Sequence, residues 1–364
     1  MKVMLVVGAR PNFMKIAPLW SEMNRLSSDF EPIILHTGQH YDYEMSKVFF
    51  EDLDLPEPHY FLGVGSGTHA EQTGKIMIEF ERVIQSENPD LVVVFGDVNS
   101  TLACSVTAKK LLIPVAHVEA GLRSFDMTMP EEINRKITDA ISDILFTPSR
   151  DADENLIREG VEKNKIYFVG NIMIGSLVSV LEKIDQFYEE EIFQKFGLER
   201  KLFVLVTLHR PSNVDDKNIL LKIMHFLNTL SLRIPVIFPV HPRTKKSING
   251  FGRDLALNRA FKIVEPLRYR EFIALEKNPK FVITDSGGVQ EETTYLTIPC
   301  LTLRPNTERP ITITEGTNEL ATIENMESKI ESIFAGNWKQ GKIPELWEGK
   351  AGQRIVHILK GLEL

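Results

Sequence analysis

At 364 residues the chain is long for a single hydrophobic core and predicts two domains. Its net charge of −8 excludes a nucleic-acid partner held by bulk electrostatics, while leaving room for a local cationic pocket that takes anions. Two cysteines, Cys104 and Cys300, with no Cys-x-x-Cys spacing, exclude a disulfide frame and a thiolate zinc site and point to a reducing cytoplasm.

In chain order, "KVMLVVG" is the first expected strand, and its apolar run is too short for a signal peptide. "EPIILHTG", "DLVVVFGD", "PVAHVEA", "DILFTPS" and "KIYFVG" follow, then "LFVLVTLH", "PVIFPVH", "FKIVEP", "FVITDSG" and "PCLTLR". Helical patterns separate these continuous apolar runs, which is the signature of parallel sheets buried on both faces. Two such series predict an α/β protein with two doubly wound, Rossmann-like parallel-sheet domains and a cleft between them. The expected domains are residues 1–170 and 171–351, with a final amphipathic helix over 352–364 packing back on the first. "DQFYEEEIFQKFGLERK" reads as the exit of a linking helix. No apolar stretch approaches the roughly 18–20 residues that cross a bilayer, so a cytoplasmic protein with no membrane partner is expected.

Ligands of open α/β sheets bind beyond the carboxyl ends of the strands, so the polar residues after each strand are the candidates. "GARPNF" supplies one glycine and no Gly-x-Gly-x-x-Gly, which disfavours a bound NAD. "GVGSGTHAEQTGK" ends in Gly-Lys but continues with Ile76, so it fails as a phosphate-cradling loop and reads as a mobile segment near the cleft. In "FVITDSGGVQEE" two glycines open a helix. Glycine lets a ligand approach the backbone, and the free N–H groups of a helix start attract a phosphate. A plain turn with Ser286 as helix cap is the structural alternative. His209, Arg210, His241 and Arg243 stand at other strand ends of the same domain, suited to a diphosphate. Glu292, one turn into the helix, suits ribose hydroxyls. In the first domain Asp97, Glu119, Glu131 and Glu132 follow strands or open a helix, a pattern suited to general acid/base work, with Lys15 near them. No His-x-x-x-His, His-Glu-x-x-His or Gly-x-Ser-x-Gly occurs, which disfavours zinc hydrolysis and acyl transfer.

Taken together, "GARPNFMK", "HTGQH", "GDVNST", "HVEAGLRS", "PEEINR", "DSGGVQEE" and "NTERP" resemble the UDP-N-acetylglucosamine 2-epimerase family, in order from residue 8 to residue 310. The resemblance implies a GT-B architecture with a UDP-sugar between the domains, and a homodimer. It also implies that neither NAD nor a metal is required. UDP leaves across C1–C2 to give a 2-acetamidoglucal and adds back with C2 inverted. It assigns acid/base roles to Asp97, Glu119 and Glu131, and places His209 near the reacting sugar and diphosphate. Arg10, Lys15, His241 and Arg309 become ligand contacts, Ser286, Gly287 and Gly288 hold the diphosphate, and Glu292 binds the ribose. Leu267 and Phe272 fall where the family packs uracil. Gln39 and His40 match a second, activating UDP-sugar site of some relatives. Two departures stand out: the short "FDMTM" loop near the sugar, and Gly175 where the family usually has Asp. The alternatives are a 2-epimerase of a modified UDP-sugar such as a 2,3-diacetamido glucuronic acid, a hydrolysing relative, a GT-B glycosyltransferase and a non-catalytic nucleotide-sugar sensor.

Overall fold

The computed structural model describes residues 1–8, 10–39, 50–249 and 257–362, with Arg10, Pro11, Pro242, Arg243 and Asn249 described by backbone alone. It divides into two compact units, Met1–Ser179 with Glu345–Leu364, and Val180–Pro344.

The first unit carries a sheet of seven parallel strands. They are β1 (Lys2–Val7), β2 (Glu31–His36), β3 (Tyr60–Phe61), β4 (Leu91–Phe95), β5 (Val115–Val118), β6 (Ile144–Thr147) and β7 (Ile166–Phe168), in the order β3-β2-β1-β4-β5-β6-β7. Chain direction along the sheet reverses between β1 and β4, so the loops after these two strands flank a topological switch point, where doubly wound sheets bind ligands. Every residue of β4 and β5 is buried, which explains why β4 reads as an unbroken Leu, Val and Phe run and β5 is apolar but for His117.

The second unit repeats the plan with β8 (Val204–Thr207), β9 (Val236–Pro239), β10 (Phe261–Val264), β11 (Phe281–Thr284), β12 (Cys300–Leu303) and β13 (Asn318–Ala321). Their order, β10-β9-β8-β11-β12-β13, puts its switch point between β8 and β11. Two strands escape the sequence reading, β3 and β13. Both lie at sheet edges, where "YF" is too short and "NELA" too polar to form an apolar run.

The units divide inside the helix Ile172–Glu182 rather than at residue 170, and the return to the first unit begins at Glu345 rather than 352. Trp347 explains the earlier return: it is 1% exposed and its indole N–H donates to Pro148 O at 3.0 Å. The helix Gln186–Phe196 is part of the second unit rather than an exposed connector. Its Glu189 is buried against Arg200 and Lys277 at 2.9 and 3.0 Å. Gly175 also has a packing reason. A Cβ there would lie 2.8 Å from Pro18 Cγ and 3.2 Å from Gly349 O, so the aspartate usual at this position has no room. Among the described residues, no helix is long and apolar enough to cross a membrane.

Candidate functional site

The first unit gathers its polar residues at the carboxyl ends of β1, β4 and β5. The helix Arg10–Arg25 starts directly after β1 and brings Lys15 under the loop that follows β4. Lys15 Nζ forms a short ion pair with Glu119 Oε2, and both side chains are almost wholly buried. Glu119 ends β5 at φ 71°, a left-handed conformation that a non-glycine residue rarely adopts. Its other oxygen, Oε1, is buried and has no hydrogen-bond partner among the described residues. An orphan carboxylate oxygen at a strand end is expensive unless a ligand uses it. Gly96 makes the approach of Lys15 feasible: at φ +64° it is in the glycine region, and a Cβ there would sit 2.6 Å from Lys15 Nζ.

Asp97 follows Gly96, is about one-quarter exposed at its side chain, and receives a short ion pair from Arg135. Asn134 donates to the Asp97 carbonyl at 2.8 Å, so the helix Pro130–Ile141 holds both ends of this residue. That helix also separates the two neighbouring glutamates. Glu132 is buried, accepts from the Ser124 and Phe125 amides at 3.0 Å each, and pairs with Arg135 at 2.7 Å. Burial works to raise the Glu132 pKa, but the Ser124 amide and Arg135 outweigh it and hold it below the usual range. Glu132 is therefore a structural anchor. Glu131 is half-buried and makes no hydrogen bond or ion pair with the described residues, which leaves its carboxylate available.

Gln39 is buried, and its Oε1 accepts from the Ser100 amide and hydroxyl at 3.0 and 2.6 Å, tying the end of β2 to the start of the helix Asn99–Lys110. His40 lies outside the described residues. The "GVGSGTHAEQTGK" segment runs into the helix His69–Glu87, which opens through a capping box of Thr68 and Glu71. Gln72 on that helix is buried and donates to the carbonyls of Gln39 and Gly65 at 3.1 and 2.9 Å.

In the second unit, Asp285 at the end of β11 organises the loop after β8. Fully buried, it accepts from the His209 and Arg210 amides at 3.1 and 2.9 Å and from Asn213 Nδ2 at 3.0 Å. His209 Nδ1 lies 3.0 Å from its Oδ1. Burial pushes the Asp285 carboxyl up, but His209 and these donors pull it further down, below the usual range. The partly exposed His209 ring is oriented from below, and His241 lies across from it with ring centroids 6.0 Å apart.

The helix Gly287–Tyr295 begins after Ser286, whose side chain makes no cap hydrogen bond, so the plain capping role does not hold. Its N-terminus is left to other partners, and Arg309 lies beside it together with the Glu308 carboxylate. A Cβ on Gly287 would lie 2.6 Å from Arg309 Nη1, so the guanidinium lies on the glycine face. Arg309 pairs with Glu308 and, at 2.8 Å, with Glu291. Glu308 also meets Arg304 at 2.6 Å and Arg210 at 3.5 Å. Burial alone would raise its pKa, but Arg309 and Arg304 drive it well below the usual range. Arg304 Nη1 is buried with no hydrogen-bond partner among the described residues. Three arginines about one carboxylate at a glycine-opened helix start form a cradle for an anion.

Glu292 is 3% exposed and accepts from Tyr269 Oη at 2.7 Å. Leu267 and Phe272 are half-buried at and just after the entry to the helix Tyr269–Glu276, and the Phe272 amide donates to Arg268 O. Arg10 begins the first helix, and its side chain is not described. Among the described residues no three His, Cys, Asp or Glu side chains gather into a set that could hold a metal.

Sequence reasoning missed Arg135, Asp285, Arg304, Glu308 and Tyr269 as organisers of the site. Asp285 and Glu308 stand inside "DSGG" and "TERP", where their neighbours drew the attention. Arg135 and Tyr269 act across distances in sequence that no local pattern reveals.

The family model described as UDP-N-acetylglucosamine 2-epimerase matches residues 22–360. A protein named UDP-N-acetylglucosamine 2-epimerase from Methanocaldococcus jannaschii is 45% identical over 370 residues, covering 99% of each chain. A protein of Pseudomonas aeruginosa named UDP-2,3-diacetamido-2,3-dideoxy-D-glucuronate 2-epimerase is 43% identical over 369 residues, covering all of both. The crystal structure of the M. jannaschii enzyme in complex with UDP-GlcNAc and UDP superposes with a TM-score of 0.89 at 44% identity over both full chains.

Proposed function

The chain belongs to the UDP-N-acetylglucosamine 2-epimerase family, and from that membership we propose that it interconverts UDP-GlcNAc and UDP-ManNAc without releasing a free sugar. The observation that carries the reading is Glu119: a buried carboxylate held by Lys15, with one oxygen that has no hydrogen-bond partner among the described residues. The C2–H of a pyranose has no neighbouring carbonyl, so its proton cannot simply be removed and returned. Elimination solves this. A base takes the C2 proton, the electron pair forms the C1–C2 double bond, and UDP departs from C1. UDP then adds back to C1 while an acid delivers a proton to C2 from the opposite face.

In this reading Asp97, Glu119 and Glu131 are the acid and base groups around the sugar, and neither NAD nor a metal takes part. The uncapped start of the helix Gly287–Tyr295, with Arg309, holds the diphosphate as it leaves and returns. His209, set by Asp285, faces that diphosphate. Glu292 takes the ribose hydroxyls, and Leu267 with Phe272 packs the uracil. The protein acts in the cytoplasm as a homodimer.

Proton NMR of the protein with UDP-GlcNAc in D₂O, with no cofactor added, tests the reading. UDP-ManNAc signals should grow while the C2 proton signal is lost to deuterium. Free ManNAc with UDP would move the chain to hydrolysis. The P. aeruginosa relative, nearly as similar as the M. jannaschii one, favours a second reading in which the sugar carries a further acetamido group and a carboxylate. Turnover of that substrate and not of UDP-GlcNAc would decide for it.

A further inference from the structure

Behind Glu292 lies a second carboxyl group that the reaction does not use. Glu276, the last residue of the helix Tyr269–Glu276, is completely buried, and neither of its carboxyl oxygens has a hydrogen-bond donor among the described residues. Its neighbour is Glu292 on the helix Gly287–Tyr295, close enough for the two carboxyl groups to share a hydrogen bond. Two carboxylates cannot share such a place while both are charged, so at least one proton must sit between them.

The surroundings decide where that proton resides. Tyr269 donates to Glu292 Oε1 at 2.7 Å, and burial followed by the Glu292 charge keeps its phenol protonated. From β12, Cys300 faces Glu276, and burial pushes its thiol up to about 12, so it is neutral. Neither glutamate forms an ion pair with a cation among the described residues. Glu276 has no other donor and Glu292 has one, so the proton belongs on Glu276. Glu292 is then the acceptor of two donated hydrogen bonds, from Tyr269 and from Glu276.

We propose that Glu276 is a positioning residue: as a neutral acid it donates to Glu292, orients the ribose-binding carboxylate and sets the pH range over which uridine nucleotides bind. This rests on the reading that Glu292 takes the ribose. Burial pushes Glu276 well above the usual carboxyl range and Glu292 up to about 7, so the acceptor itself is lost on mild acidification. A protonated Glu292 offers one fewer lone pair to the ribose, and nucleotide affinity falls.

Calorimetric titration with UDP between about pH 5.5 and 8.5 tests this on the wild type, Glu276→Gln, Glu276→Leu and Glu292→Gln. Wild-type affinity should fall as the pH drops through about 7, by up to tenfold per unit. Glu276→Gln keeps a neutral donor toward Glu292, so its midpoint should stay near that of the wild type, whereas Glu276→Leu removes the donor and should move the midpoint up by about one unit or more. Titration of UDP itself is common to both proteins and cancels in the comparison. An unmoved midpoint in Glu276→Leu, with Glu292→Gln weakened, would overturn the role of Glu276 alone. Wild-type affinity in Glu292→Gln would overturn the ribose reading and this proposal with it. Should Glu276→Leu not fold, carbon-13 NMR of the wild-type glutamate carboxyls decides. One carboxyl must remain protonated at about pH 7, and complete ionisation by about pH 6 overturns the proposal.

Discussion

His117 Nδ1 lies 2.6 Å from Asp139 Oδ1, and neither side chain reaches solvent. The other oxygen of Asp139 lies 2.7 Å from Arg123, which continues to Glu159 at 2.6 Å, and the far nitrogen of His117 meets Gly96 O at 2.8 Å. A buried charge chain thus runs from the helix Pro130–Ile141 to the loop that carries Gly96 and Asp97. Removing its centre should leave Arg123 without its closest buried countercharge. Asp139→Ala is expected to cost about 3–5 kcal/mol, read as a lower urea midpoint, and to lower turnover through the displaced loop.

The two glutamates of "PEEINR" should separate cleanly. Glu131→Gln is expected to abolish C2 deuterium exchange with stability within about 0.5 kcal/mol of wild type. Glu132→Gln should behave oppositely, losing about 1–3 kcal/mol because the Ser124 and Phe125 amides and Arg135 lose a charged acceptor. Urea unfolding and NMR exchange on the same preparations check both.

Gly96→Ala combines two penalties, the positive φ and a methyl 2.6 Å from Lys15 Nζ. The lysine must move off Glu119. We expect a stability loss of about 1–3 kcal/mol together with a turnover loss of about tenfold or more, while UDP affinity in the other unit holds. Calorimetry with UDP beside the NMR assay separates these effects.

Asp97→Asn and His209→Asn are expected to stop epimerisation while leaving UDP binding largely intact. Near-normal turnover in either variant would remove that residue from the mechanism.

The Glu276–Glu292 pair also predicts a pH dependence of stability. Burial raises both groups above their ordinary value, 4.5, and Glu292 reaches about 7. Between these limits the folded chain binds more protons than the unfolded one, so stability falls as pH rises. The Glu292 part is fully present below about 4.5 and is lost through about 7, while the Glu276 part goes on being lost above that. Glu276→Gln should therefore gain in thermal midpoint relative to wild type as the pH is raised from about 5 to 8. A difference that does not change with pH would count against the shared proton.

Much of this protein is determined by local sequence. Buried parallel strands must be continuously apolar, so eleven of the thirteen described strands could be read directly, and the candidate loops are the polar residues following them. Glycines at strand ends, as in "TDSGG", mark where a ligand can approach the backbone, for a reason that holds at each position separately. What only the tertiary structure decided is partnership. Glu131 and Glu132 are adjacent and chemically identical, yet among the described residues one has no partner and the other is locked to Arg135 and two amides, because the helix turns them in different directions. Glu276 reads as an ordinary helical glutamate and proves to be wholly buried beside Glu292. Protonation and orientation depend on neighbours in space, and such neighbours lie far apart along the chain.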